Sequence, residues 1–158
     1  MASPRQIRRL AFQLLYELDA HGQSDPEAAL AAACEGEKDH HGEPTMTPAE
    51  RDEAMDLATD AYANRARADR DFAELAPAWP AHRQPAVDRA ILRLAHHEMT
   101  SGRTHPKIAV NEAVELAKAY STDRSPAFIN GLLDKILKRV LGGAPVHGGD
   151  RTVEQGEC

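Results

Sequence analysis

A chain of 158 residues, 42% of them hydrophobic, is long enough to bury one real core. Its formal charge of −6 excludes a molecule that is basic all over, and no apolar run approaches the roughly 20 residues of a membrane span. The start MASPRQIRRL lacks the apolar stretch of a secretory signal, and two cysteines, Cys34 and Cys158, fit a reducing cytoplasm better than a disulfide framework. The charge is unevenly spread. Residues 1–10 carry Arg5, Arg8 and Arg9 with no acid, whereas residues 35–60 carry nine acids against Lys38 and Arg51. A local positive field can hold RNA whatever the total charge.

Ser3-Pro4 predicts a first helix, because serine caps free N–H groups and proline suits the first helical position. Ile7, Leu10, Ala11, Leu14, Leu15 and Leu18 give it an apolar stripe ending near His21-Gly22, with the three arginines off that stripe. Cations at a helix start oppose the macrodipole, so they are either solvated surface charge or placed for an anion. Ser24-Asp25-Pro26 predicts an alanine-rich second helix to about Cys34. Residues 35–46 (EGEKDHHGEPTM) read as a flexible acidic loop. His40-His41 within it lack the spacing of a zinc site. Thr47-Pro48-Ala49-Glu50 is a capping box opening a third helix with the stripe Ala54, Leu57, Ala58, Ala61 and Tyr62. A short helix is expected around Asp69–Leu75, followed by APAWPAHRQP, where three prolines break regularity. Trp79, the only tryptophan, is a core or anchor residue in the plainer reading and a stacking surface for a base in the sharper one.

A fifth helix spans about Ala86 to Thr100. Val87, Ala90, Ile91, Leu94, Ala95 and Met99 face the core, and Arg89 and Arg93 share the other side. Ser101-Gly102 ends it. The stretch 106–140 then reads as two amphipathic helices, with Val110, Ala113, Val114 and Ala117 on the first. The second carries Ile129, Leu132, Leu133, Ile136, Leu137, Val140 and Leu141. It starts at Ser125-Pro126 and stops at Gly142-Gly143. Gly131 inside it costs roughly 1 kcal/mol relative to alanine, and close approach of another helix is the expected compensation. No strand signal appears, so the chain is read as all-α, about seven helices in one domain over 1–141. A disordered polar tail is expected over 142–158. There is no phosphate-binding loop, nucleophile elbow or metal motif, and therefore no catalytic residue, metal site or cofactor is expected. Glu112 and Glu115 read as surface or paired groups.

Four segments, AFQLLYELD (11–19), VDRAILRLAHHEM (87–99), PKIAVNEAVELAKAY (106–120) and SPAFINGLLDKIL (125–137), resemble the NusB family of transcription antitermination factors from about Arg5 to Leu141. The resemblance implies two small helical bundles packed across each other and a non-enzymatic, cytoplasmic role. It implies binding of the boxA element of nascent ribosomal RNA together with a small-subunit ribosomal protein, NusE, and assembly with NusA, NusG and RNA polymerase. Carried onto this chain, it makes Arg5, Arg8 and Arg9 phosphate contacts. Tyr16, Trp79, Arg93 and Phe128 become RNA-facing groups, and the region around Asp88 a contribution to the protein partner. Core packing stays open for Tyr16 and Phe128. The family's LYE after the fifth-helix stripe reads His96-His97-Glu98 here, replacing an aromatic ring by a titratable one. Two other readings are kept: an RNA-binding module related to ribosomal RNA cytosine-5 methyltransferases, and a protein–protein adaptor without RNA binding.

Overall fold

The computed structural model describes residues 2–21, 26–34 and 46–142. The His40-His41 pair, residues 35–45 and the segment beyond Gly142 lie outside these. The described residues form seven α-helices and one short 3-10 turn, with no strand among them: α1 (Pro4–His21), α2 (Pro26–Cys34), α3 (Pro48–Ala63), α4 (Arg65–Leu75), the turn Ala81–Arg83, α5 (Ala86–Ser101), α6 (Pro106–Tyr120) and α7 (Ser125–Gly142). No helix among them is long and apolar enough to cross a membrane. The chain divides after Ala63 into two compact units.

In the first unit α1 packs against α2 and α3. Leu10, Ala11, Leu14, Leu15 and Leu18 of α1 are buried, as are Ala29 and Ala33 of α2 and the whole expected stripe of α3. Met46, expected in the loop, is buried as well. It precedes the α3 cap, where an apolar side chain can fold back onto the helix it introduces. The starts of α1 and α3 are closed by reciprocal caps. Thr47 Oγ1 accepts from the Glu50 N–H at 3.2 Å while Glu50 Oε1 accepts from the Thr47 N–H at 3.0 Å. Ser3 and Gln6 repeat the arrangement on α1, at 3.2 and 2.7 Å.

The second unit is arranged around α5, which contacts α4, α6 and α7. The expected apolar stripe is there from Ala90 on, with Val87 half-buried, but the helix is not amphipathic in place. Every residue from Ala90 to His96 is buried, as are Asp88, Glu98, Met99 and Thr100. Its polar side is therefore held by partners. Arg93 donates from Nε and Nη2 to the two carboxylate oxygens of Asp69 on α4, at 3.0 and 2.7 Å. His96 Nε2 lies 2.7 Å from Asp71 Oδ2, both side chains essentially without solvent contact. The Phe72 ring meets His96 edge-on, and Arg139 of α7 reaches to 3.9 Å from Asp71. Thr104 donates to Glu98 at 2.7 Å, and Thr100 to the His96 carbonyl at 2.8 Å. The left-handed Gly102, at φ 72°, turns the chain out of α5.

Several sequence expectations are corrected. The fourth helix begins at Arg65, four residues before the expected Asp69, because only Asn64 interrupts the helical backbone after α3 and no side-chain cap marks the start. Leu141 is exposed, and Val114, Leu137 and Val140 are half-buried, so the α6 and α7 stripes are narrower than their patterns. Gly131 is not a close-approach site: a Cβ there would meet nothing within 4 Å. Two outcomes follow for stability. Gly131→Ala is expected to raise stability by about 0.5–1 kcal/mol in urea denaturation, since helix propensity is gained and nothing is displaced. His96→Leu takes from the buried Asp71 carboxylate its 2.7 Å partner and is expected to cost about 3 kcal/mol or more, whereas His96→Leu combined with Asp71→Leu recovers part of that loss in the same assay.

Candidate nucleic-acid interface

The arginines sit on the first two turns of α1. Arg5 and Arg9 are four residues apart and Tyr16 seven further on, so they share one face of the helix, with Arg8 beside them. The first turn of α1 holds no acid. The helix dipole and the guanidinium groups add to a positive field at this end, partly offset by the Glu50 carboxylate that accepts from the Ala2 N–H. Arg5 is exposed, Arg8 and Arg9 half-buried, and Tyr16 is 37% exposed, which removes the core-packing reading for that ring. Phe12, on the same side as Tyr16, is buried, a placement the leucine stripe did not reveal. Among the described residues, the buried side-chain polar atoms without a hydrogen-bond partner are Arg9 Nε and Gln13 Oε1, one turn apart on α1. Polar atoms left in this state carry a cost of about 1–3 kcal/mol until an acceptor or donor reaches them.

The start of α1 is tied to the start of α3. The Ala2 N–H donates to Glu50 Oε2, on the same carboxylate that caps Thr47. The Thr47 N–H, more than any other group, holds the Glu50 pKa below its ordinary value near 4.5.

The remaining candidates lie in the second unit. Trp79 is 53% exposed, in the turn before α5 and not in the core. Phe128, on the first turn of α7, is half-buried. Asp88, on the first turn of α5, is buried, with Ser121 donating to Oδ1 at 2.5 Å and Ser125 to Oδ2 at 2.9 Å. The two hydroxyl oxygens, Ser121 Oγ and Ser125 Oγ, lie 2.8 Å apart. Asp88 thereby fastens the α6–α7 connection, and with it the turn of α7 that carries Phe128, to the head of α5. Arg93 is 7% exposed with a two-pronged hold on Asp69. The fold thus groups Arg5, Arg8, Arg9 and Tyr16 on α1, and Phe128 with Asp88 at one end of the second unit. It places Arg93 inside that unit against α4. The serine pair around Asp88 escaped the sequence reading, because only folding brings residues 88, 121 and 125 together. No group of three or more metal-ligating side chains occurs among the described residues.

A sequence profile of the NusB family matches residues 5–138. The chain belongs to the NusB family. It is 39% identical over 155 residues to the transcription antitermination protein NusB of Symbiobacterium thermophilum, covering 97% of this chain and 99% of that one. The structure of T. maritima NusB superposes with a TM-score of 0.72 at 28% identity, covering 87% of this chain and 93% of that chain. A crystal structure of antitermination factors NusB and NusE in complex with dsRNA shares the fold, with a TM-score of 0.70 at 23% identity over 85% of this chain and 95% of that chain. Membership makes this NusB-family chain a transcription antitermination factor and not an enzyme. The methyltransferase-module reading is set aside accordingly.

The Glu50 tie has a pH signature. A carboxylate whose pKa is depressed on folding contributes stability above its unfolded pKa, and that contribution is lost as pH falls through the folded value. The Tm difference between the native chain and Glu50→Gln is therefore expected to be larger near neutral pH than at about pH 3, read by circular dichroism melts at both.

Proposed function

We propose that this chain binds the boxA element of nascent ribosomal RNA together with the small-subunit ribosomal protein NusE, in the cytoplasm, and joins NusA, NusG and RNA polymerase in an antitermination complex. The observation that carries this reading is the α1 face, where three arginines stand on the first two turns, whose own sequence has no acid, and an exposed tyrosine follows two turns further along. Guanidinium groups neutralise phosphates, and an exposed ring can stack on an unpaired base. The solved complex of NusB and NusE with dsRNA supports the choice of partners.

In this reading Arg5, Arg8 and Arg9 hold phosphates, and Tyr16, Phe128 and Trp79 offer rings. Arg93 acts through α4, since its guanidinium is engaged by Asp69. Asp88 serves the protein partner through the α6–α7 turn it holds rather than by a bare carboxylate. The adaptor reading draws on α3, which exposes Asp52, Glu53 and Asp56 and would suit a basic protein better than RNA.

Fluorescence anisotropy of labelled boxA RNA and a scrambled control, with and without NusE and at two salt concentrations, decides between them. The expected outcome is a boxA preference that strengthens with NusE and weakens with salt. Replacing Arg5, Arg8 and Arg9 together by alanine is expected to weaken binding about ten-fold or more and to flatten the log-affinity against log-salt slope by roughly two. Unchanged affinity in that variant would remove the α1 face from the site. No RNA binding under any condition, with NusE still bound, would establish the adaptor.

A further inference from the structure

The helices of the second unit are not held alike. α5 buries Ile91, Leu92, Leu94 and Met99, and α7 buries Ile129, Leu132, Leu133 and Ile136. On α4 the buried residues are Ala68, Asp71 and Phe72, so its buried apolar contribution is one methyl group and one ring. Carboxylates supply much of the rest. Asp69 receives both hydrogen bonds of Arg93, Asp71 meets His96 at 2.7 Å, and Arg139 of α7 stands 3.9 Å from Asp71 and 3.5 Å from Glu74. Each of these ties joins an acid of α4 to a basic side chain of α5 or α7.

The two kinds of hold differ in what separation costs. Parting leucine from leucine exposes apolar surface to water with nothing to offset it. Parting a carboxylate from a guanidinium returns both to water, and their hydration offsets most of the lost attraction. If α4 lifts as a whole, Asp69, Asp71 and Glu74 leave together and uncover their partners in the same step, so no charge is stranded in the core. The ends of α4 suit such a movement. Asn64 breaks the helical backbone at its start without a side-chain cap, and Ala76 leaves helical geometry at φ −138° and ψ 72°. Beyond Ala76 the chain is fastened again. Gln84, 6% exposed, donates from Nε2 to the Trp79 carbonyl at 3.1 Å, and Arg89 of α5 donates from Nη1 to the carbonyls of Ala81 and Gln84, at 2.9 and 3.2 Å. The stretch free to move therefore begins at Asn64 and ends before Trp79.

We infer that α4 is an electrostatically latched strap, which lifts off α5 and α7 as one unit while α5, α6 and α7 stay packed, and which on lifting brings Arg93, His96 and Arg139 into water. The closed form withholds the Arg93 guanidinium, and the open form makes it available. The device is built from this chain's own acid–base pairs and does not rest on the RNA-binding reading.

Native-state hydrogen exchange of the full-length chain tests it, read amide by amide by NMR at one pH, over a series of sub-denaturing urea concentrations and at low and high salt. The α4 amides are expected to exchange as a group, about ten-fold or more faster than the buried turns of α5 and α7, with a shallower urea dependence and a further rise in high salt. Arg139→Gln removes the α7 hold on both carboxylates. It is expected to speed α4 exchange about three-fold or more while the buried amides of α5 and α6 stay within about two-fold of native. Glu74→Gln, a change at a half-exposed side chain that leaves the buried pairs in place, is expected to act in the same direction with a smaller effect. Exchange of α4 with the rate and urea dependence of α5 would overturn the strap, as would variants that speed all four helices equally. A rate that falls off gradually from one end of α4 marks fraying instead of a unit, and would overturn it too.

Discussion

The second unit depends on a helix whose polar side has nowhere to go but inward. α5 is covered by α4, α6 and α7, so an arginine, a histidine, an aspartate and a glutamate on it lose water. Each loss is met by a named partner: Asp69 for Arg93, Asp71 for His96, Ser121 and Ser125 for Asp88, and Thr104 for Glu98. An apolar contact tolerates a small slide of one helix along another. A buried polar or charged group held by a hydrogen bond does not, because leaving it unmatched in the core costs from about one to several kcal/mol. These pairs therefore set the register of α4 and of the α6–α7 turn against α5, and the leucines and isoleucines fill the space between.

The surface of the second unit inherits that register. The residues that meet solvent with aromatic or cationic chemistry, Trp79, His82, Arg83 and Phe128, stand on segments that leave or enter this packed helix set. The proline-rich turn is latched by Gln84 and Arg89, and the head of α7 by Asp88. In the first unit the device is different: two reciprocal caps and the Ala2–Glu50 tie hold the start of α1, where Arg5, Arg8 and Arg9 share a face with Tyr16. A ligand contact made by held groups loses less conformational entropy on binding than one made by free side chains.

Most of the helical layout was legible in the chain, for local reasons. Proline after a capping serine or threonine marked the starts of α1, α3 and α7, and the left-handed Gly102 marked the end of α5. The start of α4 was not legible, since Asn64 breaks the helix without proline, glycine or a side-chain cap. The roles of Arg93 and Asp88 were also hidden. Both sit on an amphipathic pattern that assigns them outward, and both are buried against residues distant in sequence. Gly131 shows the opposite case: a residue that suggested a tight contact faces open space.

What the sequence determined by itself was the kind of protein: all-helical, without a catalytic set, with a basic helix start and the ordered motifs of the NusB family. These are properties of neighbours along the chain, set by helical periodicity, capping chemistry and motif order. What only the tertiary structure decided was which polar groups are available to a partner. Trp79 and Tyr16 became surface rings, whereas Arg93 and Asp88 became internal ties, because exposure depends on which helix covers which face. That covering is a property of the packed helices together, and no single stretch of the chain contains it.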